Sequence, residues 1–186
     1  NELFELATKF NIPVVTTLMG RGAFPDGHEL CLEMPGMHGN YTATTSIQNA
    51  DLLIAIGVRF DDRVTANPSF FAQNAKVIHA DIDPAEIGKV RDAQVPIVGD
   101  AKSVIKGLIE ALGDEKLDTE NWVSELKEMK TEFPLSYKQE DKGPLKVPYV
   151  LEELQKLTKE EAIVVAGVGQ HQMWVSQHWN FTEPNT

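Results

Sequence analysis

The chain has 186 residues, of which 42% are hydrophobic and 24% are charged, as in an ordinary globular protein. Its formal net charge of −11 argues against a nucleic-acid surface, because such a surface needs clustered lysine and arginine. No stretch approaches the roughly 20 apolar residues of a membrane span, and the single cysteine, Cys31, excludes an internal disulfide and fits a reducing, cytoplasmic location.

The first fifty residues alternate between helical and extended patterns. The chain begins without methionine in a pattern that is already helical, so we expect it to be a piece of a longer polypeptide. In chain order the residues predict a helix over 2–10, a buried strand from Ile12 to Leu18, a long loop over 20–40 that is rich in glycine and proline, and a helix over 41–50 capped by Asn40 or Thr42.

The next sixty residues continue the alternation. They predict a strand over 51–57, a strand over 76–83, a short helix from Pro84, a strand over 95–98, and an amphipathic helix over 101–112 closed by Gly113. This order predicts an α/β fold with a doubly wound parallel sheet. Because ligands of such sheets bind at the carboxyl ends of the strands, the places to examine are 18–24, 57–65, 81–86 and 99–101.

The character of the chain changes after Gly113. Residues 114–143 are strongly charged, and the apolar contacts of one helix are Trp122, Leu126, Met129 and Phe133. Prolines and a glycine mark 134–147 as a linker. A helix over about 148–158 and a strand over 162–168 then predict the start of a second α/β unit, which would leave 1–133 as the first domain and 148–186 as part of another.

Two strand ends carry charged side chains. The segment GVRFDDRVT (57–65) offers Arg59 and Arg63, which could hold a diphosphate or pair with the adjacent aspartates in a surface loop. The segment HADIDPAEIG (79–88) offers Asp81 and Glu86 as acceptors for ribose hydroxyls, whereas Asp83 before Pro84 is typical of a helix cap.

Two glycine turns precede helices. PGMHGNYT (35–42) is either an anion-binding turn or a plain glycine turn. VVAGVGQHQMW (164–174) is not a dinucleotide fingerprint, because Gln172 stands where the third glycine is needed. It is either a phosphate-binding turn or an ordinary strand-to-helix turn. The five histidines and Cys31 have no metal-ligand spacing, and no nucleophile comes with its base.

Six segments occur in the order and spacing of a known family: PVVTTLMGRGAFP, MPGMHGNY, DLLIAIGVRFDDRVT, HADIDPAEIGK, PIVGDAK and VGQHQMW. They resemble the large subunit of acetolactate (acetohydroxyacid) synthase, a thiamine-diphosphate enzyme. The resemblance covers 2–112 and 147–183. Within the thiamine-diphosphate enzymes, the segments GMHG, RFDDRVT and GQHQMW are specific to this family.

The resemblance implies that 1–133 is the Rossmann-like central domain that binds FAD, that 134–147 is a linker, and that 148–186 begins the thiamine-diphosphate domain. It implies flavin contacts at Thr17, Leu18, Met19, Gly36, Met37 and His38, contacts beside the flavin and its diphosphate at Gly57, Arg59, Asp61, Arg63 and Val64, and adenosine contacts at Asp81, Ile82, Glu86, Gly99, Asp100 and Ala101. By the same resemblance, Gly169, Gln170 and His171 would contact thiamine diphosphate, and Gln172 and Met173 would approach the flavin.

The implied reaction joins pyruvate to a second 2-ketoacid, pyruvate or 2-ketobutyrate, with loss of carbon dioxide, in branched-chain amino acid biosynthesis. The implied cofactors are thiamine diphosphate, FAD and magnesium, and the implied assembly is a homo-oligomer with a regulatory small subunit. The family's catalytic glutamate and magnesium motif are expected outside these 186 residues, so we expect this piece alone to be inactive and to bind FAD weakly.

Two positions depart from the family pattern. Ala166-Gly167 replace the usual Thr-Asp before the thiamine-site turn, and Ala66-Asn67 replace Gly-Lys after RFDDRVT. Two alternative functions stay open: a non-catalytic nucleotide-binding module, and another thiamine-diphosphate decarboxylase or carboligase.

Overall fold

The described residues, 1–158 and 161–186 of a computed structural model, form a parallel sheet with helices around it. In chain order the elements are α1 (Glu2–Phe10), α2 (Tyr41–Asn49), β1 (Leu52–Ile56), α3 (Asp62–Thr65), β2 (Lys76–Asp81), β3 (Val95–Val98), α4 (Ala101–Leu112), α5 (Glu120–Glu132), α6 (Val147–Thr158) and α7 (Gln170–His178). Short 3-10 helices lie at Leu18–Gly20 and Pro68–Phe70.

The sheet has three parallel strands in the order β1-β2-β3, with Leu53 opposite Val77 in the register. Leu53 and Val77 pack on one face with Ile47 of α2. Ile56 packs with Ile105 of α4 in the cluster that also contains residues of α1. Because neighbouring residues of a strand point to opposite faces, helices cover both faces, and the predicted doubly wound α/β fold is confirmed.

Local capping explains where the predicted helices begin and end. The Asn40 side chain accepts a hydrogen bond of 2.7 Å from the backbone N–H of Ala43, so Asn40, and not Thr42, caps α2. Asp100 caps α4 through a bond of 3.0 Å from the Ser103 N–H. Gly113, with φ +55°, ends α4 in the left-handed region as predicted.

The predicted strand from Ile12 to Leu18 is wrong. Only an isolated bridge pairs Val14 with Cys31, although the Val14 N–H donates to the Leu30 carbonyl at 2.8 Å. Val15 of this segment and Ile54 of β1 both line a groove of about 330 Å³. A strand is defined by its ladder of partners, and here the ladder is reduced to a single bridge.

Two further predictions are wrong. Residues 162–168 pair with no strand in the part of the chain that the structure describes, and Val165 is 91% exposed. The residues after Pro84 form turns instead of a helix. Helices α6 and α7 do occur where the sequence predicts them. Among 1–158 and 161–186, none of the helices has the length and apolar character needed to cross a membrane.

Candidate functional site

The loops that follow the three strands lie side by side at the carboxyl edge of the sheet. The N–H of Gly57, directly after β1, donates to the carbonyl of Ala80 at 2.8 Å. The N–H of Gly99, directly after β3, donates to the carbonyl of Asp81 at 2.9 Å. The predicted positions 57–65, 81–86 and 99–101 therefore share one edge, where open α/β sheets bind their ligands.

The glycine turn before α2 packs directly on the loop after β1. The N–H of Met37 donates to the carbonyl of Arg63 at 2.9 Å. Gly36 has φ +93°, and a Cβ there would lie 2.2 Å from the Arg63 carbonyl oxygen. No side chain fits at this separation. The segments GMHG and RFDDRVT thus form a single surface that requires glycine at position 36.

Two arginines give this surface its positive charge. The Nη2 of Arg59 lies 3.4 Å from Asp61 Oδ2, and the Nη1 of Arg63 lies 3.7 Å from Asp62 Oδ2. The arginine side chains are 68% and 67% exposed, so these pairs are weak and readily exchanged. Asp61 also accepts the N–H of Arg63 at 3.1 Å, which caps α3. The surface loop is self-paired, as the simpler interpretation predicted, yet its guanidiniums remain accessible to a diphosphate.

Large apolar side chains stand exposed around this charged surface. Met19, in the 3-10 helix, is 90% exposed, and Ile82, directly after β2, is 74% exposed. Met37 is also exposed. Thr17 lines the groove beside β1 together with Val64, so its segment lies next to the loop that carries the arginines. Exposed apolar side chains beside exposed arginines suit a planar aromatic ligand that carries a diphosphate.

The carboxylates at the edge form local hydrogen bonds. Asp81 Oδ1 accepts the N–H of Asp83, and Asp83 Oδ1 accepts the N–H of Ala85, each at 2.9 Å. Glu86 Oε1 pairs with Lys89 at 2.8 Å. Each bond uses one carboxylate oxygen. The prediction that Asp83 caps a helix is therefore wrong, because its carboxylate accepts the N–H of a turn and no helix follows Pro84.

The second glycine turn leads into α7, which also contacts this surface. Gly169 is the N-cap of α7 and provides no side-chain hydrogen bond, and a Cβ there would lie 2.9 Å from Cε1 of His171. Further along α7, the Gln177 side chain donates to the carbonyl of His38 at 2.8 Å. Within the described residues, no hydrogen bond joins Gln172 or Met173 to the carboxyl edge.

Sequence reasoning missed a buried polar cluster in the loop after the first 3-10 helix. Arg21 and Asp26 form an ion pair of 2.6 Å, and Asp26 also bonds the backbone of Phe181. The sequence signal was two opposite charges five residues apart in an otherwise apolar segment. Across the residues that the structure describes, no group of three or more His, Cys, Asp or Glu side chains is placed to hold a metal ion.

Comparisons with known proteins agree with this geometry. The sequence model described as "Thiamine pyrophosphate enzyme, central domain" matches residues 1–108, more than half of the chain. The chain belongs to the thiamine pyrophosphate enzymes. This central-domain family covers the sheet, the glycine turn and the loops of the carboxyl edge up to α4.

Individual relatives match over nearly the whole chain. It is 52% identical over 189 residues to "Acetolactate synthase" of Mycobacterium avium and 51% identical over 188 residues to "Acetolactate synthase large subunit" of Corynebacterium glutamicum, covering 100% of this chain in both cases. It is 46% identical over 187 residues, 98% of this chain, to "Acetolactate synthase 1, chloroplastic" of Zea mays. The chain spans 30%, 30% and 29% of the length of these relatives.

Proposed function

We propose that this chain is the flavin-binding central domain, the linker and the first part of the thiamine-diphosphate domain of an acetolactate synthase. The observation that carries the proposal is the identity of 51–52% to acetolactate synthases over the full chain. The position of the edge residues supports it, because the GMHG and RFDDRVT segments pack into one surface at the carboxyl ends of the strands. The proposed boundaries are 1–133, 134–147 and 148–186.

The carboxyl edge has the chemistry that FAD requires. Arg59 and Arg63 would hold the diphosphate, because their own ion pairs are exposed and weak. Asp81 and Glu86 would accept hydrogen bonds from the adenosine ribose through the oxygen that each leaves outside its local bond. The remaining proposed contacts are Thr17, Leu18, Met19, Gly36, Met37, His38, Gly57, Asp61, Val64, Ile82, Gly99, Asp100 and Ala101. The flavin would be a structural group here.

The start of α7 would form one wall of the thiamine-diphosphate site. The N–H groups at the beginning of a helix attract anions, and Gly169 provides no side chain to cap them. Gln170 and His171 would add polar donors, and Gln172 and Met173 would face the flavin. Thiamine diphosphate, when bound, supplies the carbanion-stabilising chemistry for decarboxylation and carbon–carbon bond formation. The residues of this chain would orient the cofactor and exclude water.

The proposed reaction condenses pyruvate with pyruvate or 2-ketobutyrate and releases carbon dioxide, in branched-chain amino acid biosynthesis. We propose thiamine diphosphate, magnesium and FAD as cofactors, a homo-oligomer with a regulatory small subunit, and a cytoplasmic location. The names of the relatives favour this reaction over a non-catalytic nucleotide-binding module.

The test is product identification with protein made from the complete gene. Incubation with pyruvate, thiamine diphosphate, magnesium and FAD is expected to give acetolactate. Acetaldehyde as the main product would instead indicate a thiamine-diphosphate decarboxylase, and no consumption of pyruvate would favour the non-catalytic module. The inactivity of residues 1–186 alone and their weak binding of FAD stay predictions, and acetolactate formed by that polypeptide or FAD bound to it stoichiometrically would contradict them.

A further inference from the structure

A buried cluster joins the loop after the 3-10 helix to the segment that follows α7. The Asp26 N–H donates to the Phe181 carbonyl at 3.0 Å, and Asp26 Oδ2 accepts the Phe181 N–H at 2.7 Å. One residue thus satisfies both backbone groups of a residue 155 positions away in the chain. We call this pair of hydrogen bonds the Asp26 clamp.

Charge and burial hold the Asp26 clamp in one geometry. Arg21 Nη2 lies 2.6 Å from Asp26 Oδ2, Arg21 Nη1 donates to Thr16 Oγ1 at 3.0 Å, and the Cys31 thiol lies 3.6 Å from Asp26 Oδ1. Arg21 and Asp26 are buried, and the Arg21 guanidinium lies 5.3 Å from the centre of the Phe181 ring. A buried ion pair adds little net stability, but it penalises every arrangement that leaves one charge unpaired.

Two other contacts fix the same segment. Gln155 of α6 repeats the pattern on the neighbouring residue: its Nε2 donates to the Asn180 carbonyl at 2.7 Å, and its Oε1 accepts the Asn180 N–H at 3.0 Å. On the other side, Gly22 has φ +81°, and a Cβ there would lie 2.0 Å from the Glu183 carbonyl oxygen. The segment after α7 is therefore in direct contact with the backbone at Gly22, which prevents it from shifting.

The clamped segment determines where α7 lies. Trp179 directly follows α7 and is buried, and Asn180 and Phe181 come next. The Gln177 side chain, in the last turn of α7, contacts the carbonyl of His38 in the glycine turn. A shift of this segment would move α7 relative to the glycine turn at 36–38, and the N–H groups after Gly169 would move with the helix.

We infer that Asp26, held by Arg21, is a positioning residue that sets α7 and its N-terminal anion site against the glycine turn at 36–38. The inference rests on the proposed function for the identity of the anion, thiamine diphosphate. The clamp itself is independent of that identity, because it is a contact between two parts of this chain.

The experiment uses protein from the complete gene and two measurements on each variant. Isothermal titration calorimetry with magnesium and thiamine diphosphate measures cofactor affinity, and hydrogen–deuterium exchange measures protection of the backbone over 175–183. Asp26→Asn removes the charge and one acceptor, and Gly22→Ala displaces the segment from the opposite side. Ser46→Ala is the matched control, because it removes a buried side-chain hydrogen bond within α2, from Ser46 Oγ to the Ala43 carbonyl at 2.9 Å, and leaves Arg21 and the Asp26 clamp untouched.

Asp26→Asn and Gly22→Ala are expected to weaken cofactor binding about tenfold or more, because one lost hydrogen bond from the α7 N–H groups to a charged diphosphate is worth at least that factor. They are also expected to deprotect 175–183, while Ser46→Ala leaves both measurements near wild type. Gln155→Leu, which removes the bonds to Asn180 from α6, replaces Asp26→Asn if that variant does not fold. Wild-type exchange at 175–183 in all variants, or an equal loss of affinity in Ser46→Ala, would overturn the inference. If the variants change the protection of 175–183 as expected but the wild-type protein binds no thiamine diphosphate, the proposed function is overturned and the clamp stays supported.

Discussion

Replacing Gly36 with alanine tests the packing of the glycine turn on the arginine loop. The left-handed backbone at φ +93° costs a residue with a Cβ about 1–2 kcal/mol. The new Cβ would lie 2.2 Å from the Arg63 carbonyl oxygen, so the turn must move away and lose the hydrogen bond between the Met37 N–H and that oxygen. That bond contributes about 1 kcal/mol. Gly36→Ala is therefore expected to destabilise the protein by about 2–3 kcal/mol.

Two other glycines provide matched controls. Gly57 has φ +64° but open space around its missing Cβ, so Gly57→Ala is expected to cost only the backbone term of about 1–2 kcal/mol. Gly27 has neither a left-handed φ nor a nearby atom, so Gly27→Ala is expected to change stability by less than about 0.5 kcal/mol. Urea unfolding followed by tryptophan fluorescence measures all three. A Gly36→Ala variant as stable as Gly27→Ala would refute the packing argument.

Three further predictions address the core, the thiol and the arginines. Leu126→Ala is expected to lower the free energy of unfolding in urea by about 2–5 kcal/mol, because Leu126 is fully buried. The control Leu157→Ala, at a position that is 78% exposed, is expected to change it by less than about 0.5 kcal/mol. Equal losses in the two variants would contradict the placement of Leu126 in the core. Burial raises the pKa of the Cys31 thiol to about 11, so Cys31 is expected to resist a disulfide reagent at mildly alkaline pH in the native protein and to react when the protein is unfolded. Rapid labelling of Cys31 in the native protein would argue against this environment. Arg59→Ala and Arg63→Ala are each expected to weaken FAD binding about tenfold. They are expected to change the free energy of unfolding little, because both side chains are exposed. Unchanged flavin affinity in titrations would show that the two arginines do not bind the cofactor.

The strands and helices that the sequence predicts correctly are those with local signals. The apolar runs of β1, β2 and β3 end at polar residues or glycine, and α4 has both a cap at Asp100 and a closing glycine at Gly113. The strand ends also indicated where the candidate site lies, because in a parallel sheet all carboxyl ends meet at one edge. These features need no knowledge of distant contacts.

The two wrongly predicted strands and the two missed contacts depend on interactions between distant parts of the chain. The apolar segments at 12–18 and 162–168 have strand composition, but a strand also needs a neighbour, and β propensity does not specify one. The Asp26 clamp reaches Phe181 across 155 positions, so no local pattern reveals it. The contact of Gln177 with the glycine turn, 139 positions away, was hidden for the same reason.

A crystal structure of the protein from the complete gene, grown with FAD, tests the central claim most directly. We expect the diphosphate to lie within hydrogen-bond distance of Arg59 and Arg63, and the flavin ring to lie against the glycine turn at 36–38. A flavin bound away from the carboxyl edge of β1, β2 and β3, or a diphosphate held without either arginine, would contradict the account.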